Sequence, residues 1–151
     1  MFITKSCQWP RCEIESLSLN FSFHDMSFTI LGAYRHPNGN RDHFTKDLEH
    51  AVELFDKQRS WILAGDMNID LTQYHADTVV LNYVTTLMSH QLLPLITYPT
   101  RVTDHTHTCI DHIFMRVNNP IKYSAIFPCI LFSDISDHLP TALYFSRPAT
   151  T

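Results

Sequence analysis

Between Ser16 and Phe23 every second residue is apolar: Leu17, Leu19, Phe21 and Phe23 alternate with Ser16, Ser18, Asn20 and Ser22. A strict period of two predicts a half-buried β-strand. His24-Asp25-Met26-Ser27 then reads as a turn, and residues 28–34 as the return strand of a hairpin, ended by the loop Pro37-Asn38-Gly39-Asn40. Over residues 42–59 the period lengthens, and Phe44, Leu48, Val52 and Phe55 fall on one face of an amphipathic helix. Trp61-Ile62-Leu63-Ala64, wholly apolar and stopped by Gly65, predicts a buried central strand. A second helix is predicted over residues 76–90, with Val80, Val84 and Met88 in one row and Val79, Tyr83 and Leu87 beside it; Pro94 closes that segment. Pro99-Thr100-Arg101 opens a polar loop that runs to His107. Residues 109–116 read as a strand, residues 121–131 as a weaker one interrupted by Pro128, and residues 141–145 as the last. Strands alternating with helices and joined by hairpins imply an α/β layered architecture.

Composition narrows the picture. At 151 residues, 44% hydrophobic and 17% charged, the chain is one domain with enough apolar surface for a core. No run of about 18 apolar residues is present, so no membrane span is predicted. The opening Met1-Phe2-Ile3 is too short for a secretory signal, and the chain reads as soluble and intracellular. Cys7, Cys12, Cys109 and Cys129 form no C-x-x-C pair, which predicts free thiols and no structural zinc. His105-Thr106-His107 has no matching pair and reads as polar loop. A net charge of -4 argues against generic attraction to nucleic acid. A local basic rim is left to Arg35, Arg41, Arg101, Arg116 and Lys122.

Chemistry concentrates in four short stretches. Asp66 and Asn68 flank Met67 straight after a strand, and in a continuing extended segment they would project together; an Asx turn capping the strand is the alternative. Asp111 lies between apolar neighbours, where a charge is expensive unless paired, and His138 is its best partner by type. Such a pair would fix the imidazole tautomer and let His138 deprotonate a water, or would simply be a structural ion pair. Asp137 is the hard oxygen ligand of a type Mg²⁺ prefers. Tyr34 and Asn38 offer neutral hydrogen bonds suited to a phosphate oxygen, although Tyr34 alone is an ordinary strand-end aromatic.

Taken in order, Tyr34-Arg35-His36-Pro37-Asn38, Ala64-Gly65-Asp66-Met67-Asn68, Thr108-Cys109-Ile110-Asp111-His112-Ile113-Phe114 and Ser136-Asp137-His138-Leu139-Pro140 resemble the endonuclease/exonuclease/phosphatase superfamily. The surroundings are most similar to endonuclease domains of non-LTR (LINE-type) retrotransposons. The resemblance implies a DNase I-like layered β-sandwich flanked by helices. It further implies Mg²⁺ (or Mn²⁺) as cofactor, a DNA substrate and a reverse transcriptase domain in the parent protein, acting in the nucleus. By the same resemblance Asp66, Asn68, Asp111 and His138 are the catalytic set. Tyr34, Asn38, Arg101 and Thr108 would contact phosphate or DNA, and Asp137, with Asp66 and Asn68, would hold the metal. Domain limits of 13–146 are expected, with a poorly matched stretch at 1–12 and a tail at 147–151. The family normally has a front half supplying an early Asn and a metal-binding Glu. Glu13 and Glu15 match the start of the hairpin instead, so only the C-terminal portion of the fold and an incomplete metal site are expected. A catalytically dead remnant, and a phosphoesterase acting on phospholipid or inositol phosphate, are the alternatives.

Overall fold

The computed structural model describes residues 2–3, 14–23, 26–54, 60–117 and 125–146. Expectations placed on the 1–12 stretch, Cys7, Cys12, Glu13, the turn at His24 and Asp25, Phe55, Lys122 and the 147–151 tail lie outside the described residues. The elements in chain order are β1 (Phe2–Ile3), β2 (Glu15–Phe23), β3 (Met26–Tyr34), α1 (Arg41–Glu53), β4 (Ser60–Asp66), α2 (Thr78–Ser89), β5 (Leu93–Pro94), β6 (Arg101–Val102), β7 (His107–Thr108), β8 (Asp111–Arg116), β9 (Ala125–Ile130) and β10 (Thr141–Ser146).

A six-stranded sheet runs β1-β2-β3-β4-β8-β5. Strands β2 and β3 pair antiparallel from Glu15↔Tyr34 to Phe23↔Met26. Helix α1 carries the chain back so that β4 lies parallel to β3, as a crossover must. On its other side β4 pairs antiparallel with β8, in a register that sets Asp66 opposite Asp111. Being central, β4 is covered on both faces, which is why Trp61-Ile62-Leu63 carries no polar alternation. Leu31, Trp61, Leu63 and Phe114 point to one face, against Phe44, Leu48 and Val52 of α1 and Val80, Tyr83, Val84 and Leu87 of α2. Phe28, Ile62, Ile113 and Met115 point to the other, where Ile126, Ile130, Leu143 and Phe145 of the β9–β10 hairpin cover them. The Phe28 and Phe145 rings meet with centroids 5.1 Å apart. Helices, sheet and hairpin thus make three layers around two apolar interfaces.

Several elements depart from the pattern reading. The apolar side of β2 is only partly covered: Leu19 is half-buried, whereas Leu17 is 46% and Phe21 39% exposed. Met88, in the last turn of α2, is exposed too. Helix α1 stops at Glu53, with Leu54 as its C-cap. The loop after Pro99 contains a small hairpin, β6 with β7, in the register Arg101↔Thr108 and Val102↔His107. Beside β8, Leu93 and Pro94 form an edge strand, a place where a missing N–H is tolerated.

Candidate active site

The strand ends at which β4 finishes and β8 begins are built by tight local chemistry. Gly65 has φ +147°, and a Cβ there would stand 1.9 Å from the Ala33 carbonyl oxygen, so the neighbouring strand, not a ligand, requires the glycine. Asp66 follows, and its Oδ1 accepts the Asn68 N–H at 3.0 Å. That is the Asx turn. The backbone does not continue extended: Met67 turns into the core, and Asn68 sits in the left-handed region at φ 47°. Asp66 and Asn68 are therefore not alternate residues of one strand, and the Asn68 amide is anchored by Nδ2 donating to the Arg35 carbonyl at 2.8 Å.

Across the sheet, Asp111 is held by Thr100 and His138. The Thr100 hydroxyl donates to Asp111 Oδ2 at 2.8 Å and accepts the N–H groups of Ile110 and Asp111 at 3.1 and 2.9 Å. His138 Nδ1 lies 3.0 Å from Asp111 Oδ2 and 3.2 Å from Oδ1. A carboxylate only accepts, so Nδ1 carries a proton in this pair. His138 is delivered by backbone pairing: it bridges to Arg101, Val102 N–H donates to the Asp137 carbonyl at 2.8 Å, and Leu139 N–H to that of Thr100 at 2.6 Å.

Ligand atoms of Asp66, Asp111 and His138 all lie within 4.8 Å of one another. Burial pushes the Asp66 carboxyl above the usual range and the Asp111 charge adds to this, against the Asn68 N–H, His138 and Arg101. Two carboxylates facing each other in register weaken a sheet. A divalent cation would relieve that repulsion, so the donor set fits one, with Asp66 and Asp111 as its oxygen ligands.

The other candidates are placed as follows. Asp137 is outside that cluster: its Oδ2 accepts from Arg101 Nε at 2.7 Å, and this guanidinium holds the carboxyl below its ordinary value. Tyr34 ends β3, exposed, and the next residue's N–H bonds the Asp66 carbonyl at 3.1 Å, which sets Tyr34 at the same sheet end. Asn38 lies in the exposed loop after β3, its N–H on His36 Nδ1 at 3.2 Å. Thr108 pairs with Arg101 in the β6–β7 hairpin, and its carbonyl accepts the Thr100 N–H at 2.9 Å. The basic rim is corrected. Arg35 is 2% exposed, and its guanidinium bonds the carbonyls of His36, Gly39, Met67 and Asn68, pinning two loops from inside. Arg116 is also buried, against the Trp61 ring, whereas Arg41 pairs with Asp77 at 2.7 Å. Cys109 and Cys129 are free thiols.

Sequence reasoning missed Thr100, Arg35 and His112 as builders of this region. Their one signal was a polar residue inside a chemistry-bearing motif. The His112 ring is buried, between Tyr83 on one nitrogen and two backbone carbonyls on the other.

The model of the endonuclease/exonuclease/phosphatase family matches residues 8–138. The chain belongs to this family. Among solved structures it is similar to the endonuclease domain of TRAS1, a telomere-specific non-LTR retrotransposon, at 16% identity and TM-score 0.67, covering 90% of this chain and 64% of that one. It is also similar to D. rerio TDP2 complexed with a single-strand DNA product, at 16% identity and TM-score 0.52, covering 83% and 59%. A third is a variant of beta toxin from Staphylococcus aureus with bound magnesium ions, at 10% identity and TM-score 0.53, covering 87% and 57%. At these identities the likeness is one of fold, and the chain spans less than two thirds of each. No curated protein sequence matches it. The DNase I-like layering of this family member thus agrees with the three layers described above. No helix among its described residues is long and apolar enough to cross a membrane.

Proposed function

We propose that this family member supplies the acid–base end of a divalent-metal-dependent DNA endonuclease of the non-LTR retrotransposon type. Its reaction would be hydrolysis of a phosphodiester bond, nicking target DNA so that the freed 3′-hydroxyl primes reverse transcription. The observation that carries this reading is the cluster of Asp66, Asp111 and His138, with ligand atoms within 4.8 Å of one another, on a family match covering residues 8–138.

Mg²⁺ would be held by Asp66 and Asp111, and it would supply neutralisation of charge on the phosphate. The chain's own groups do the rest. Asp111, steadied by the Thr100 hydroxyl, keeps the His138 imidazole in the tautomer whose Nε2 takes a proton from water. The same nitrogen, once protonated, donates to a reacting oxygen. Asp66, fixed by the Asn68 N–H on its Oδ1, orients the attacking water or the leaving oxygen. The Asn68 amide, fixed on Arg35, and Tyr34 at the same sheet end orient the phosphate. Arg101 and Thr108 of the β6–β7 hairpin, together with Asn38, contact the flanking DNA. Action in the nucleus, beside a reverse transcriptase domain, belongs to this proposal.

The test is nicking of supercoiled plasmid. Joined to the segment of the TRAS1 endonuclease domain that it does not cover, the chain nicks in a Mg²⁺-dependent way; by itself it nicks little. His138→Ala and Asp66→Ala each abolish the activity, because each removes a group acting on the reacting oxygens. Retained nicking by the His138→Ala fusion would move the chemistry to another residue, and hydrolysis of sphingomyelin in place of DNA would change the substrate class.

A further inference from the structure

His112 follows Asp111 in β8 and points to the opposite face of the strand, where it is 1% exposed. There the ring lies among aromatics, its centroid 5.6 Å from that of Tyr83 and 5.8 Å from that of Phe114. A side chain placed only to fill this space would be apolar, since an imidazole brings two polar atoms that need partners. Both are satisfied. Nε2 lies 2.9 Å from the Ile69 carbonyl and 3.1 Å from the Cys109 carbonyl, and Nδ1 lies 3.0 Å from the Tyr83 hydroxyl. Carbonyls only accept, so Nε2 carries the proton, and Nδ1 accepts from Tyr83.

The two carbonyls belong to the two segments that carry the site. Ile69 stands in the run leaving Asp66 and Asn68, and Cys109 in the run entering Asp111. The same segments are stitched by Met67 N–H to the Ile110 carbonyl at 2.9 Å, Leu71 N–H to that of Cys109 at 3.0 Å, and Cys109 N–H to Asp70 Oδ1 at 2.9 Å. Neither segment is a regular strand, and one contains the left-handed Asn68. These bonds hold the spacing of the two segments, and the His112 imidazole reaches both carbonyls at once from behind.

We infer that His112, locked by Tyr83, is a positioning residue for the Asp66–Asp111–His138 site: its bifurcated N–H sets the distance between the segment after Asp66 and the segment before Asp111. The catalytic consequence rests on the function proposed above; the positioning itself does not. Displacements on the order of 1 Å at such a site cost about a hundredfold in rate.

Three variants of the full chain test it: His112→Leu keeps volume without the donor, His112→Gln restores an N–H, and Tyr83→Phe keeps the His112 ring and removes its lock. Hydrogen–deuterium exchange is read on peptides covering 66–71 and 108–111, with the peptides of β3 and α1 as internal reference. In His112→Leu the site peptides exchange at least tenfold faster while the reference peptides hold, and His112→Gln returns them toward the parent rate. Tyr83→Phe shows the same pattern in smaller measure, and it gives the reading if His112→Leu does not fold. In the plasmid-nicking fusion, His112→Leu lowers kcat about ten- to a hundredfold with KM little changed, and His112→Gln recovers most of it. Unchanged exchange at the site peptides in His112→Leu and Tyr83→Phe would overturn the inference, as would a Gln variant no better than Leu. If exchange responds as stated but no fusion cleaves DNA, the positioning stands and the reaction proposed above falls.

Discussion

Gly65 shows how little freedom a single residue has next to this site. Its φ of +147°, and the 1.9 Å that would separate an alanine Cβ from the Ala33 carbonyl oxygen, leave Gly65→Ala no way to fit without moving β3 or β4. A loss of more than about 2 kcal/mol is expected, read by chemical denaturation. His112 contributes a pH dependence whose sign follows from its burial. Desolvation lowers it from 6.5 to about 4, against the pull of the Cys109 and Ile69 carbonyls. Below pH 6.5 the unfolded chain takes up a proton that the folded one refuses until about pH 4. The contribution of neutral His112 is therefore full above 6.5 and is lost as pH falls toward 4, on the order of 3 kcal/mol in all. His112→Gln flattens the stability profile in that window, measured as denaturation midpoints at pH 7 and 4.5. Cys109 makes a third case: burial pushes its thiol to about 12, so at pH 8 alkylation reaches the partly exposed Cys129 ahead of Cys109, which reacts only after unfolding.

At the scale of elements, caps decide where the helices begin. Asn40 Oδ1 accepts the His43 N–H at 2.9 Å and starts α1, so Asn40→Ala costs about 1 kcal/mol in thermal or denaturant unfolding. Asp77 starts α2 in the same way, its Oδ1 on the Val79 N–H at 2.8 Å, and also takes Arg41 from α1 at 2.7 Å. Both helices were legible from their periodic apolar rows, but periodicity set their starts at residues 42 and 76, whereas the caps set them at Arg41 and Thr78. The β6–β7 hairpin and β5 were not legible. Each strand is two residues long, too short for a period to show, and β5 exists through its pairing with the distant β8.

Across the whole molecule, apolar surface remains outside the two cores. Leu17 and Phe21 on β2, and Phe127 and Tyr144 on the β9–β10 hairpin, are exposed. Edges and faces of this kind favour association. The chain is expected to self-associate at micromolar concentration, and Leu17→Ser with Phe21→Ser to shift it toward monomer in sedimentation velocity. A chain that stays monomeric without those changes would show that this face is tolerated in water.

Periodicity is a local property, so the pattern of apolar positions by itself determined β2, β3, β4, β8, β9, β10, α1 and α2, and the order of the four short motifs determined the family. Which partner each polar group takes is not local. Asp111 finds His138 across 27 residues, Arg101 finds Asp137 across 36, and Arg35 finds the Met67 carbonyl across 32. Only the tertiary structure decided that Arg35 and Arg116 lie inside and not on a basic rim, and that Asp137 answers Arg101 while Asp66 faces Asp111. It also brought Thr100 and His112 behind the site. The reason is physical: a buried donor or charge must be satisfied by whatever the sheet register brings within about 3 Å, and register is set by strands far apart in sequence.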